Sequence, residues 1–182
     1  MELIMNHFYE QIQGWFDFED LYSEAVKTFP EESHFVEVGS WKGKSASFMA
    51  VEIHNSKKQI KFDCVDTWNG SVEHASYGEE LNSLYEEFTT NIQPIKHIIN
   101  PIRKSSEEAA KDYKDGSLDF VFIDASHEYE DVKKDIKAWL PKVKSGGFLA
   151  GHDTDWASVL RAVYETLPEA KFTSKRCWIY KL

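Results

Sequence analysis

Phe35-Val-Glu-Val-Gly-Ser-Trp-Lys-Gly43 decides how this chain is read. Phe35, Val36 and Val38 are β-formers in a short apolar run, while Gly39 and Gly43 mark a turn that a helix takes up at Lys44 or Ser45. The order is strand, glycine turn, helix. In an open α/β sheet such a junction lies at the carboxyl end of a strand, where glycines let a ligand approach the backbone and the helix start offers free N–H groups.

Two loop chemistries compete, and spacing separates them. A P-loop needs Gly-x-x-x-x-Gly-Lys-Ser/Thr, but Gly39 and Gly43 enclose only Ser40, Trp41 and Lys42. In the dinucleotide pattern Gly-x-Gly-x-x-Gly the second glycine would fall at Trp41, whose bulk argues against a pyrophosphate on the loop and against a nicotinamide-dependent oxidoreductase. What remains is Glu-x-Gly-x-x-x-Gly, with Glu37 inside the strand. A carboxylate there is costly to bury unless it meets a donor or a cation. The motif resembles the first motif of class I S-adenosylmethionine-dependent methyltransferases, whose ligand carries an amino acid group and a sulfonium. Its competitor is an ordinary βα turn with a solvated Glu37.

Working outward, Phe18, Leu21, Tyr22, Ala25, Val26 and Phe29 fall at helical spacing, with Asp17 as N-cap and Pro30 as terminator. A short helix is expected within residues 1–14. Downstream, Ala46, Met49, Ala50 and Ile53 form a helical face, and Ile60 to Val65 reads as a second strand ending in Asp66. Asp66 lies 23 positions after Gly43, close to the interval at which nucleoside-binding folds place a carboxylate on the ribose hydroxyls. The polar loop Thr67 to Gly78, with Trp68, Gly70, His74 and Tyr77, stands where acceptor specificity is expected.

Leu81, Leu84, Tyr85, Phe88 and Ile92 make the next helix, stopped before Pro94, with an edge strand around Lys96 to Ile102. Ser105-Ser-Glu-Glu108 has capping-box spacing for a short helix. Leu118 to Ile123 is a nearly continuous apolar run suited to a central strand covered on both faces. It ends in Asp124 and His127. A helix through Trp139 and Leu140 follows; Pro141 and Gly146-Gly147 break it, and Phe148 to Gly151 forms a strand ending in His152-Asp153. A helix from Trp156 to Leu167 and an alternating tail, Ala170 to Leu182, complete the chain as a terminal antiparallel hairpin. The expected fold is α/β, a Rossmann-like open, mostly parallel seven-stranded sheet with helices on both faces.

The 182 residues suffice for one core, so a single domain over 1–182 is expected, with 1–33 as an N-terminal helical extension. A formal charge of −10 disfavours nucleic acid or an anionic membrane as partner and favours a small-molecule acceptor. No apolar run approaches the roughly 20 residues that span a bilayer, and Met1 to Asn6 lacks a basic signal-peptide start, so a cytoplasmic location is expected. Cys64 and Cys177 show no metal-ligand spacing and read as buried thiols. A homodimer is left open.

Four strand ends therefore carry polar groups to one edge: Glu37 with Gly39, Asp66, Asp124 with His127, and His152 with Asp153. Together with Val65-Asp-Thr-Trp68, Phe122-Ile-Asp-Ala-Ser-His-Glu-Tyr129 and Gly146-Gly-Phe-Leu-Ala-Gly-His-Asp153, the chain is similar to the class I methyltransferases of methyltransferase family 24 over residues 34 to about 167. The resemblance implies that Glu37, Gly39, Ser40 and Gly43 surround the methionine moiety of S-adenosylmethionine. It places Asp66 at the ribose and Trp68 and Ser106 at the adenine, counts Thr67 among the cofactor-binding residues, and puts Asp124 near the methyl donor. Related catechol and macrocin O-methyltransferases bind Mg²⁺ at positions matching Asp124 and Asp153, with His152 beside them. His152 replaces a usual carboxylate, which leaves Mg²⁺, another divalent ion, or none open. His127 stands where the catechol enzymes carry a lysine and is the candidate general base; capping or packing is its competing role. The implied activity is O-methylation of a small hydroxylated molecule such as a sugar or phenol. The alternative is a non-catalytic module that binds the same cofactor.

Overall fold

The computed structural model describes residues 4–70, 78–79 and 81–182. Seven strands form one sheet in the order β3-β2-β1-β4-β5-β7-β6. They are β1 (His34–Val38), β2 (Lys61–Asp66), β3 (Ile99–Arg103), β4 (Leu118–Ile123), β5 (Val143–Gly151), β6 (Lys171–Phe172) and β7 (Trp178–Lys181). The first five run parallel, and β7 pairs antiparallel with both β5 and β6. The expected open sheet and terminal hairpin are both present.

Apolar runs in the central strands hide a strict alternation. Phe120 and Phe122 of β4 point with Phe35 and Phe62 into one layer, with α1 (Glu19–Thr28), α2 (Lys44–Ser56) and α3 (Leu84–Asn91). Val121 and Ile123 point with Val36 and Val65 into the other, with α4 (Ser106–Ala110), α5 (Tyr129–Trp139) and α6 (Ala157–Thr166). Because both faces are covered, the central strands bury side chains in both directions.

Register brings the carboxyl ends level: Val38 is paired with Val65 and Ile123, and Ile123 with Gly151. After β1 the chain builds outward through β2 and β3, then crosses to the other side of β1 for β4 and β5. The crevice between the ends of β1 and β4 is thus a topological switch point.

Three local expectations are corrected. Among the described residues of 4–14 there is only a 3-10 turn, Tyr9–Gln11. Asp17 does not cap α1, whose N-cap is Phe18 without a side-chain bond, because the carboxylate is drawn away to His152 and Arg176. Gly146-Gly147 lies inside β5 rather than before it. Gly146 has φ +83° and donates to the Leu182 carbonyl at 2.8 Å, while a Cβ on Gly147 would come within 2.8 Å of the Asp119 carbonyl. The glycines let β5 pass close to β4 where the pairing slips between Leu118 and Phe120. His74 and Tyr77 of the expected specificity loop lie outside the described residues.

Asp135 lies on the buried face of α5, and burial pushes its carboxyl up to about 6, against the opposing Ser106 hydroxyl. A native value above the unfolded one means that stability is lost as pH rises from about 4 through 6. Asp135→Asn should therefore stabilise the fold at pH 7 by on the order of 1–3 kcal/mol and have little effect at pH 4, read from urea midpoints at the two pH values.

Candidate functional site

The glycine turn is built on positive backbone angles. Gly39 has φ +92°, and a Cβ there would come within 1.9 Å of the Asp124 carbonyl, so only glycine lets the end of β1 lie against the end of β4. Its N–H donates to the Val65 carbonyl at 2.8 Å. Gly43, φ +86°, donates to the Ser40 carbonyl at 2.8 Å and faces Ile92 and Phe88, which a Cβ would press to 3.0 and 3.1 Å. Gly43 thus shapes the loop from behind.

Glu37 lies under this loop, 1% exposed. Tyr22 of α1 donates its hydroxyl to Glu37 Oε2 at 2.7 Å, while Oε1 has no hydrogen-bond partner. Burial raises the Glu37 carboxyl, against the lowering influence of Tyr22, Ser40 and Ser45. Ser40 Oγ is also buried and, although close enough to favour the ionised Glu37, makes no well-formed hydrogen bond. A carboxylate oxygen and a hydroxyl both lacking partners beneath a glycine loop fit a ligand that brings its own donors, such as an ammonium group.

Asp66 closes the other side of the loop. Its Oδ2 accepts the Trp41 N–H at 2.9 Å and its Oδ1 the Trp68 N–H at 2.7 Å, holding two residues at positive φ, +46° and +51°. A carboxylate retains further acceptor sites after two such bonds. Trp68 itself departs from expectation. Its indole is 1% exposed, donates to the Trp41 carbonyl at 2.9 Å and packs on Tyr85 and Phe88, so it belongs to the core and not to the lining of either hollow described below. The apolar face of α3 offered the larger burial.

Two adjoining hollows result. The larger, about 540 Å³, is bounded by Gly39, Ser40, Ser45, Asp124, His127 and His152 among others. The smaller, about 200 Å³, is bounded by Asp66, Thr67, Lys104, Ser106 and Ser126 and shares Gly39, Trp41, Asp124 and Ala125 with the first. Ser106 Oγ accepts the Trp139 indole N–H at 2.9 Å, which fixes its place on the wall.

Beyond the ends of β4 and β5 lies an ionic cluster. His127 Nε2 is 2.7 Å from Asp153 Oδ2, and its ring stacks on Trp156 at 4.7 Å. His152 Nδ1 is 3.1 Å from Asp153 Oδ1 and 3.9 Å from Asp124 Oδ1. One ligand atom from each of Asp124, His152 and Asp153 falls within 4.8 Å of the others. Burial, then the neighbouring Asp153, pushes the Asp124 carboxyl up to about 8. Although burial works the other way, hydrogen bonds to His127 and His152 hold Asp153 well below the usual carboxylate range. Asp124 is thus biased towards its neutral form and Asp153 towards its charged one, an asymmetry that a divalent cation would remove by favouring both ionised forms.

Sequence reasoning missed two members. Asp17, before α1, accepts from Arg176 Nη2 at 2.9 Å and lies 2.8 Å from His152 Nε2. Arg176, in the turn between β6 and β7, also reaches Asp155 at 3.3 Å. Neither has a motif; only the closing of the two chain ends over the sheet edge joins them.

A doubly wound sheet with this glycine turn and acidic strand ends at its switch point defines a class I methyltransferase fold. The profile of a methyltransferase domain matches residues 36–154, and the chain belongs to that family, methyltransferase family 24. Uncharacterized protein y4gI of Sinorhizobium fredii is 35% identical over 91 residues, half of this chain; the chain spans about a tenth of that relative's length, since the match covers 10% of it. Among solved structures, the O-methyltransferase NovP superposes with a TM-score of 0.68 at 14% identity, covering 90% of this chain and 78% of that one. The TDP-rhamnose 3'-O-methyltransferase CalS11 gives 0.57 at 15% identity, covering 90% and 76%. Fibrillarin of Aeropyrum pernix, with natively bound S-adenosyl-L-methionine, gives 0.55 at 13%, covering 88% and 72%. At these identities the structures speak for the fold. No helix among the described residues is long and apolar enough to cross a membrane.

Proposed function

We propose that this chain is an S-adenosylmethionine-dependent O-methyltransferase that acts, with a divalent cation, on a small hydroxylated acceptor. The observation that carries the reading is the meeting, on one wall of one hollow, of the Gly39–Ser45 loop with Asp124, His127, His152 and Asp153. The family match and the O-methyltransferase names of NovP and CalS11 support it.

S-adenosylmethionine, when bound, supplies a methyl group on a positively charged sulfur. Ser40, on the wall of the larger hollow, and Glu37, buried beneath it, hold acceptor oxygens for its amino acid end, and the smaller hollow offers Asp66, Thr67 and Ser106 to its nucleoside. Asp124, His152 and Asp153 offer two carboxylates and an imidazole, a donor set that suits a divalent cation, which would add positive charge beside an ionising hydroxyl. His127 stands at the same wall to take the acceptor's proton, its ring fixed by Asp153 on one edge and Trp156 on one face. The exposed indoles of Trp15 and Trp156 border the larger hollow and give a ring-shaped acceptor flat apolar surfaces. The protein's work is alignment and proton removal.

The deciding experiment incubates the protein with methyl-labelled S-adenosylmethionine and a panel of phenols and glycosides, with Mg²⁺ or with a chelator. Label should pass to a hydroxyl only with the cation. Cofactor binding without transfer to any acceptor would favour the non-catalytic module instead. With an acceptor in hand, His127→Ala should lower kcat about 100-fold or more while the cofactor Kd stays within twofold. Unchanged turnover removes His127 from proton transfer.

A further inference from the structure

The segment Asp17-Phe18 grips one imidazole at both edge and face. Asp17 Oδ1 lies 2.8 Å from His152 Nε2, and the Phe18 ring lies 4.8 Å from the His152 ring. The other carboxylate oxygen of Asp17 is held at 2.9 Å by Arg176 Nη2, 159 residues along the chain. The imidazole is almost wholly buried, 4% exposed, whereas Asp17 is half-open to solvent. An ordinary capping aspartate would turn its oxygens to the backbone of its own helix; α1 has no such bond.

We propose that Asp17 is a positioning residue for the cation site, accepting the Nε2–H of His152 so that the Nδ1 lone pair faces Asp124 and Asp153. The inference rests on the reading of those three residues as cation ligands. Carboxylates flank both ring nitrogens, Asp17 at Nε2 and Asp153 at Nδ1; a cation held by Asp124 and Asp153 would take the place of the proton at Nδ1, and Asp17 keeps the one at Nε2. With the proton on Nε2, the ligating atom is Nδ1, which already lies 3.1 Å from Asp153 Oδ1 and 3.9 Å from Asp124 Oδ1. Carboxylate-to-histidine support of this kind orients a ligand and raises its basicity. Arg176 extends the chain of support to the turn between β6 and β7, so two segments 159 residues apart combine behind one imidazole. Phe18 packs against the same ring, centroids 4.8 Å apart and tilted by 50°, and adds to its restraint.

The test uses the full chain, with Mn²⁺ as the probe, titrated by electron paramagnetic resonance into wild type, Asp17→Ala and Asp17→Asn. The nitrogen-15 shifts of His152 are read in parallel with Mg²⁺ added. Wild type should show a protonated Nε2. Asp17→Ala should raise the Mn²⁺ Kd roughly 10- to 100-fold and mix the two tautomers. The Asn variant, which keeps an acceptor oxygen and serves if the Ala variant does not fold, should fall between them. Adenosylhomocysteine binding should be unchanged in both. A Mn²⁺ Kd within twofold of wild type in the variants, with the His152 shifts unmoved, overturns the role of Asp17 and leaves the cation reading standing. Wild type that takes up no Mn²⁺ overturns both.

Discussion

Gly39→Ala is expected to destabilise the protein by about 3–5 kcal/mol, a large part of the 5–15 kcal/mol available to an ordinary domain. Two costs coincide at this position. A backbone at φ +92° is strained for any residue with a Cβ, on the order of 1–3 kcal/mol. The new methyl group would also sit 1.9 Å from the Asp124 carbonyl oxygen and 2.9 Å from the Ala125 Cα, both backbone, which cannot swing aside. Relief requires β1 and β4 to separate at the switch point, and that separation removes the wall shared by the two hollows. Gly116→Ala provides the comparison: φ is +62° but nothing lies within 4 Å of the added carbon, so only strain of about 1–2 kcal/mol is expected. Urea midpoints of the two variants measure the difference directly. Equal losses would show that Gly39 is needed for its backbone angle alone and that the close approach to β4 is soft.

Asp124→Asn should separate stability from activity. The carboxyl is pushed up to about 8 by burial and by Asp153, so near neutral pH the folded protein holds it protonated. An amide of the same shape then replaces a neutral group with a neutral group. Because the native value lies above the unfolded one of 3.8, the wild type loses stability as pH rises from about 4 through 8, and the variant should not. The two should match near pH 4, and the variant should be the more stable at pH 9. Methyl transfer should nevertheless fall by at least about 100-fold, since an amide cannot ionise to hold a cation or to meet developing positive charge. Denaturation at the two pH values, with label transfer at neutral pH, reads both effects. An Asn variant that transfers methyl at the wild-type rate would exclude Asp124 from the chemistry.

The fold was legible because its signals are local. Phe35 to Gly43 announces strand, turn and helix through residue type alone, and Leu118 to Ile123 announces a strand covered on both faces. Local signals mislead where one side chain has two possible partners. Trp68 sits in a polar loop and reads as a ligand contact, but α3 presents Tyr85 and Phe88 to it and burial prevails. Asp17 reads as a cap, but His152 and Arg176 offer charge that a helix start cannot match. The glycine pair at 146–147 reads as a breaker, yet β4 and the carboxyl terminus supply strand partners on both sides.

What the sequence determined by itself was the order of strands and helices and the acidic or imidazole groups closing four strands, since periodicity and turn chemistry act within a few residues. The tertiary structure alone decided which of those groups meet. The 3.1 Å approach of His152 to Asp153, the packing of Gly39 on Asp124 and the clasp of Asp17 by Arg176 depend on strand register and on where the chain ends return. Such contacts between distant residues leave no spacing rule behind, because the sheet, and not the chain, sets the distance.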